Sequence, residues 1–270
     1  MTTESVLLVD QHDGVRTLTL HRPRQKNALD RALWAALRRE LDDVAAGAAR
    51  AVVLTGSGGA FSAGADLSGT AEVEEFPDPA AEMLGINEVI RQLHELAVPT
   101  VAKVRGPAYG AGWNLALGCD LVVAAPDARF CQIFTRRALS PDCGGSWILP
   151  RLVGMQQAKR LTLLAEVIDA AEAHALGLVT WVRSDEEIDD FVAELAARLA
   201  AGAPTALAQT KALLSGGGSR TLDEALAAET RAQAANLAGP DVLEAFAAFL
   251  EKREPVFPGG PLVKPSADPA

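Results

Sequence analysis

The sequence predicts an α/β fold made of repeated ββα units and followed by a helical region. Two observations carry that prediction. Short apolar runs lead into glycine-bearing turns and then into helical periodicity at least twice, and beyond about residue 155 the pattern is helical almost throughout. Residues 5–20 alternate, with Val6, Leu8, Val15, Leu18 and Leu20 around His12-Asp13-Gly14, as in a β-hairpin. Asp30 is placed to cap a helix running to about Val44, with Leu33, Trp34, Leu37 and Leu41 on one face. Ala51–Thr55 reads as a buried strand entering the tight loop Gly56–Gly59, and the acidic segment Gly69–Pro79 reads as an exposed loop. A helix over 82–97 stops before Pro99. Val101–Val104 is the next strand, Gly106–Gly112 a glycine loop, Trp113–Leu117 a helical start and Leu121–Ala125 another strand, with Phe130–Phe134 following. Thr221 and Glu224 have capping-box spacing, and the proline- and glycine-bearing tail from Pro255 reads as extended. The expected organisation is a core over 1–200 and a helical C-terminal region over 201–270 that includes the tail.

Composition narrows the function classes. Hydrophobic residues make up 49% of the 270, enough for a substantial core. No stretch reaches the roughly 18 apolar residues of a membrane span, and MTTESVLLVDQHDG lacks the basic start of a secretory signal, so a cytoplasmic protein is expected. Twenty-five basic residues against thirty-five acidic give a net charge of −10, which argues against nucleic acid or an anionic membrane as partner. The cysteines Cys119, Cys131 and Cys143 form no CxxC pair, which suits a reducing compartment. The histidines His12, His21, His94 and His174 lack metal-ligand spacing, so no metal is expected. GxSxG, GxxxxGK[ST] and a strand-borne GxGxxG are all absent. Cys143 has no histidine near it in sequence and reads as a packed residue.

Five segments then carry a resemblance. They are His21-Arg-Pro-Arg-Gln-Lys-Asn27-Ala-Leu29, Phe61-Ser-Ala-Gly-Ala-Asp66-Leu67, Gly106-Pro-Ala-Tyr-Gly-Ala-Gly112 with Leu115 and Cys119-Asp120, Pro141-Asp-Cys-Gly-Gly-Ser-Trp147, and Phe249-Leu-Glu-Lys-Arg253. In this order and spacing the chain resembles the enoyl-CoA hydratase/isomerase (crotonase) family over nearly its whole length. The resemblance implies a crotonase-like spiral of ββα units with a C-terminal helical trimerisation region. It also implies an acyl-CoA substrate, no separate cofactor, and a homotrimer or a dimer of trimers.

By the family pattern, the N–H groups of Ala65 and Ala111 form an oxyanion hole, for which glycine-rich turns with small side chains are well suited. The residues implied to line the substrate are Lys26, Ala28, Ala63, Ala65, Asp66, Leu67, Ser68, Ala111 and Phe134. Asp66 reads as a loop-ordering helix cap more than as an acid. Arg24 and Lys26, and more remotely Lys252 and Arg253, are candidates for the CoA phosphates.

The acid–base residues depart from the hydratase pattern. The two hydratase glutamates fall on Asn114 and Phe134, neither of which exchanges protons at neutral pH. Asn114 is left as a possible holder of a water. Asp142 matches the position of the catalytic aspartate in several family isomerases, where burial would raise its pKa. Competing with that role are a cap for a helix near Gly144 and the pull of Arg136 or Arg137. The favoured reading is double-bond isomerisation through Asp142. Hydration through an Asn114-held water, a silent CoA-binding scaffold, and decarboxylation or thioester hydrolysis are the alternatives.

Overall fold

A computed structural model describes residues 5–68 and 78–257; most of the expected acidic loop and most of the tail lie outside these residues. The chain opens with strands β1 (Leu7–His12) and β2 (Val15–Leu20), paired antiparallel. Asp13 and Gly14 between them both have positive φ, 47° and 79°, the backbone of a two-residue turn whose twist matches the strands. Helix α1 (Arg31–Ala46) is capped by Asp30, which accepts the Leu33 N–H at 2.8 Å. Strand β3 (Ala51–Gly56) follows. Helix α2 (Pro79–Glu95) starts three residues before the expected 82, because Asp78 accepts the Ala81 N–H at 3.0 Å and Pro79 suits the first helical position.

Next come β4 (Thr100–Val104), β5 (Pro107–Tyr109), α3 (Ala111–Leu117), β6 (Leu121–Ala124), β7 (Arg129–Cys131) and α4 (Gly145–Leu164), the last broken at Gly154. Strand β8 (Val167–Asp169), α5 (Ala170–Ala175), β9 (Trp181–Val182), α6 (Ile188–Ala201), α7 (Pro204–Gly217), α8 (Leu222–Leu237) and α9 (Pro240–Glu251) complete it. The expected loop 106–112 therefore holds a strand, and two short strands interrupt the helical half. The Thr221–Glu224 capping box forms as its spacing predicts.

The strands make a six-stranded sheet, β1-β2-β3-β4-β6-β9, parallel from β2 onward, and a three-stranded sheet, β5-β7-β8. Both faces of the larger sheet are covered. Val52, Leu54, Ala102 and Val104 face the main core with Trp34 and Leu37 of α1, whereas Val53, Val101 and Val123 face Ile188, Val192 and Leu195 of α6. Burial on both sides is why β3 reads as a continuous apolar run instead of an alternating one. In the second sheet β5 pairs with β7 on one side, and on the other Ser62 of the earlier glycine-bearing segment bridges to Ala108, which positions the site. Among the described residues no single helix is long and apolar enough to cross a membrane.

Candidate active site

The turn after β2 holds the site's first loop in place. Asn27 has a left-handed backbone (φ 55°) and is fully buried. Its Oδ1 accepts the Arg22 N–H at 2.9 Å, and its Nδ2 donates to the carbonyls of Ser57 at 2.8 Å and Ala60 at 2.7 Å. Asparagine tolerates this conformation better than most residues, and its amide satisfies three backbone groups at once. Arg22 reaches the Ala28 carbonyl at 2.5 Å and the carboxylates of Asp66 at 2.7 Å and Asp30 at 3.2 Å. Sequence reasoning quoted Arg22 and Asn27 within a motif but gave neither a role.

The loop 61–66 runs between this turn and β5. Ser62 Oγ donates to the Asn27 carbonyl at 2.8 Å, and the Ala63 N–H to the Lys26 carbonyl at 2.9 Å. On its other side the Ser62 N–H donates to Pro107 O at 3.0 Å, and the Tyr109 N–H to Ser62 O at 2.9 Å. Gly64 adopts φ 92°, and a Cβ there would lie 2.7 Å from Tyr109 O and 3.8 Å from Ala111 N. Only glycine permits both the conformation and the close approach. Gly64, the residue before Ala65, thus lies against the end of β5 and the start of α3. Among the described residues neither the Ala65 N–H nor the Ala111 N–H has a hydrogen-bond partner. For Ala111 this follows from its place in the first turn of a helix.

Asp142 sits just before α4. One carboxylate oxygen, Oδ1, is buried without a hydrogen-bond partner. Burial pushes its pKa up from the ordinary 3.8, and the neighbouring Cys143 thiol only partly opposes this. Arg136 and Arg137 are exposed and form no ion pair with Asp142, so the competing pull is absent. The cap role is absent too: α4 is capped by Gly144, with no side-chain bond.

Asn114 is fully buried, and its amide is already in use. Its Nδ2 donates to the Asp142 carbonyl at 2.9 Å and its Oδ1 accepts from Gln132 Nε2 at 2.8 Å. Both ends of the amide are thus engaged by protein groups. Phe134, 5% exposed, stands beside Gly110, where a Cβ would meet its ring at 3.5 Å. It contributes an apolar wall where a hydratase would have a carboxylate.

The remaining candidates divide. Lys26, like Arg24, is exposed beside the first loop, and Leu67 and Ser68 are exposed on its rim. Ala28 is buried, and its N–H and carbonyl serve Gln25 and Arg22, so it shapes the loop from within. Asp66 accepts from Ser68 Oγ at 2.6 Å and Ser68 N at 2.9 Å. Those bonds, the hydroxyl's first and Arg22 adding to them, hold its pKa below the ordinary range. It orders a turn and stays charged, and it caps no helix among the described residues. Arg253 is paired with Glu244 and Glu251, so its charge is committed within the chain, while Lys252 is exposed. Among the described residues no three His, Cys, Asp or Glu side chains cluster as metal ligands.

Comparison with known proteins identifies the family and the fold. The sequence profile described as enoyl-CoA hydratase/isomerase matches residues 10–260. A Rhodobacter capsulatus protein named "Probable enoyl-CoA hydratase" is 42% identical over 258 residues, spanning 92% of this chain and 95% of its own. The 1,2-epoxyphenylacetyl-CoA isomerase of Escherichia coli K12 is 37% identical over 257 residues, spanning 91% and 95%. Among solved structures, an enoyl-CoA hydratase from Polaromonas sp. JS666 aligns with TM-score 0.88 at 37% identity, covering 93% of this chain and 99% of that one. One from Bacillus anthracis aligns with TM-score 0.90 at 33% identity, covering 94% and 100%. The crotonase-like ββα spiral that the motifs imply is the fold of this chain.

Proposed function

Because this chain belongs to the enoyl-CoA hydratase/isomerase family, we propose that it is an acyl-CoA enzyme that moves a double bond, with Asp142 carrying the proton. The observation that carries the reading is the pairing of two unpartnered N–H groups, Ala65 and Ala111, with a single carboxylate of raised pKa. In the 3-enoyl to 2-enoyl direction, the ionised Asp142 takes a proton from the α carbon. The electron pair spreads over the thioester as a dienolate, whose oxygen the two N–H groups stabilise. Asp142 then returns the proton to the γ carbon, and the double bond ends between the α and β carbons. A raised pKa makes the carboxylate a stronger base, and one group serves both transfers. Adding water needs a second proton-handling group. The positions where the resemblance puts one hold the buried Asn114 and Phe134.

The test is incubation with 2-enoyl-, 3-enoyl- and dienoyl-CoAs in D₂O, with products analysed by mass. A shifted bond without added water supports the reading, with deuterium gained only to the extent that the proton on Asp142 exchanges with solvent before its return. A mass gain of one water would replace it with hydration, and unchanged substrate that still binds would replace it with a scaffold.

We also propose a homotrimer, or a pair of them. Helices α8 and α9 leave Leu222, Leu226, Leu237, Leu243, Phe246 and Phe249 exposed, more apolar surface than a monomer usually shows to water. Light scattering is expected to give a mass that is a multiple of three chains, and a monomer at micromolar concentration would contradict this.

A further inference from the structure

We propose that Gln132 is a positioning residue for the proton carrier, aligning the Asn114 amide and, through it, the Asp142 peptide. The inference rests on the proposed role of Asp142. A backbone carbonyl can only accept, so Asp142 O dictates that Asn114 faces it with Nδ2, at 2.9 Å. Asn114 Oδ1 then points the other way and requires a donor, which Gln132 Nε2 supplies at 2.8 Å. The direction of the whole chain is therefore fixed from Asp142 outward. The Gly145 N–H also donates to Asp142 O, at 2.9 Å, so the carbonyl is held by two donors and the peptide plane cannot turn. Gly145 has to be glycine for this to form, since a Cβ there would lie 2.8 Å from Asn114 Cγ and overlap the amide nitrogen.

Asn114 lies three residues after Ala111 on α3. One helical turn thus carries both the oxyanion donor and the clamp on the proton carrier, so their relative placement is set by rigid backbone. Without the Gln132 donor, Asn114 Oδ1 is left buried and unpaired, and only its bond to the Asp142 carbonyl holds the angle of the amide. Gln132 itself is fully buried with its Oε1 unpartnered. An orphan buried oxygen costs stability, so the benefit of this side chain lies at its other end.

Gln132→Met removes the donor and the orphan oxygen together while keeping the length of the side chain. One orphan oxygen is removed and Asn114 Oδ1 becomes another, so melting temperature is expected to hold roughly level. KM for the best enoyl-CoA of the panel should stay within about twofold and kcat fall about 10- to 100-fold, as for an angstrom-scale misplacement. Adding Gln132→Met to Asn114→Leu should slow that variant no further, because both act through one link. Gln132→Glu supplies a second readout. Its buried carboxyl can donate to Asn114 Oδ1 only when protonated, so its kcat relative to the wild type should fall as pH rises. A wild-type kcat in Gln132→Met, independent losses in the double variant, or a pH-independent Gln132→Glu ratio would each overturn the inference. Asp142→Asn separates the two ideas. If it turns over at the wild-type rate, the proposed function fails; if it is slow while Gln132→Met is unaffected, only the role of Gln132 fails.

Discussion

Replacing Asp142 with asparagine is expected to slow turnover by about 10² to 10⁴ while leaving the fold and acyl-CoA binding in place, the usual cost of losing a positioned general acid–base. Asparagine keeps the shape of the side chain, and the backbone carbonyl that Asn114 and Gly145 hold is untouched. Stability supplies an independent check. The carboxyl has a folded pKa above its ordinary 3.8 because burial disfavours the charge. A group shifted upward favours the folded state while protonated, and that contribution disappears as pH rises through the folded value. The replacement amide does not ionise, so the melting temperature of Asp142→Asn should gain on the wild type as pH climbs from about 3.8. Steady-state rates with melts across a range of about pH 3 to 8 test both halves. A wild-type rate would remove Asp142 from the chemistry, and a pH-independent stability difference would mean that its charge is not buried.

Ala111→Pro is expected to lower kcat by about 10² to 10³, the range for deleting one oxyanion donor. The substitution is chosen so that little else changes. Ala111 is the first residue of α3, where proline is well tolerated and its missing N–H breaks no bond of the fold. Gly110 before it lies at φ 52° and ψ −123°, outside the helical region that a following proline disfavours. Circular dichroism and melting should therefore resemble the wild type while the rate collapses. An intact rate would show that the enolate oxygen is held elsewhere.

Local signals were the legible ones. The Asp30 cap, the Thr221–Glu224 box and the Asp13-Gly14 turn each depend on residues within three positions, so spacing alone predicts them. β3 was readable because six residues suffice for an apolar run. By contrast β5, β7 and β8 have three residues each, too few for any period to show, and they exist because they pair with one another. The site divides the same way. The glycine loops and Asp142 stood out through their motifs. Arg22, Asn27 and Gln132 act across distances that spacing does not encode: Asn27 bonds to residues 57 and 60, and Gln132 to residue 114. The bonds of Asn114 are hidden for the same reason, since a polar residue in a helical start gives no sign that its amide is enclosed.

In the proposed mechanism both oxyanion donors belong to the main chain, whereas the proton carrier is a side chain. Any amino acid but proline preserves an N–H at positions 65 and 111, so ordinary substitution cannot erase the hold on the enolate. A single exchange at position 142 can remove or relocate the proton chemistry. On that proposal, the capacity to stabilise a thioester enolate is written into backbone geometry and inherited with the fold, while the reaction that uses it is open to revision one codon at a time.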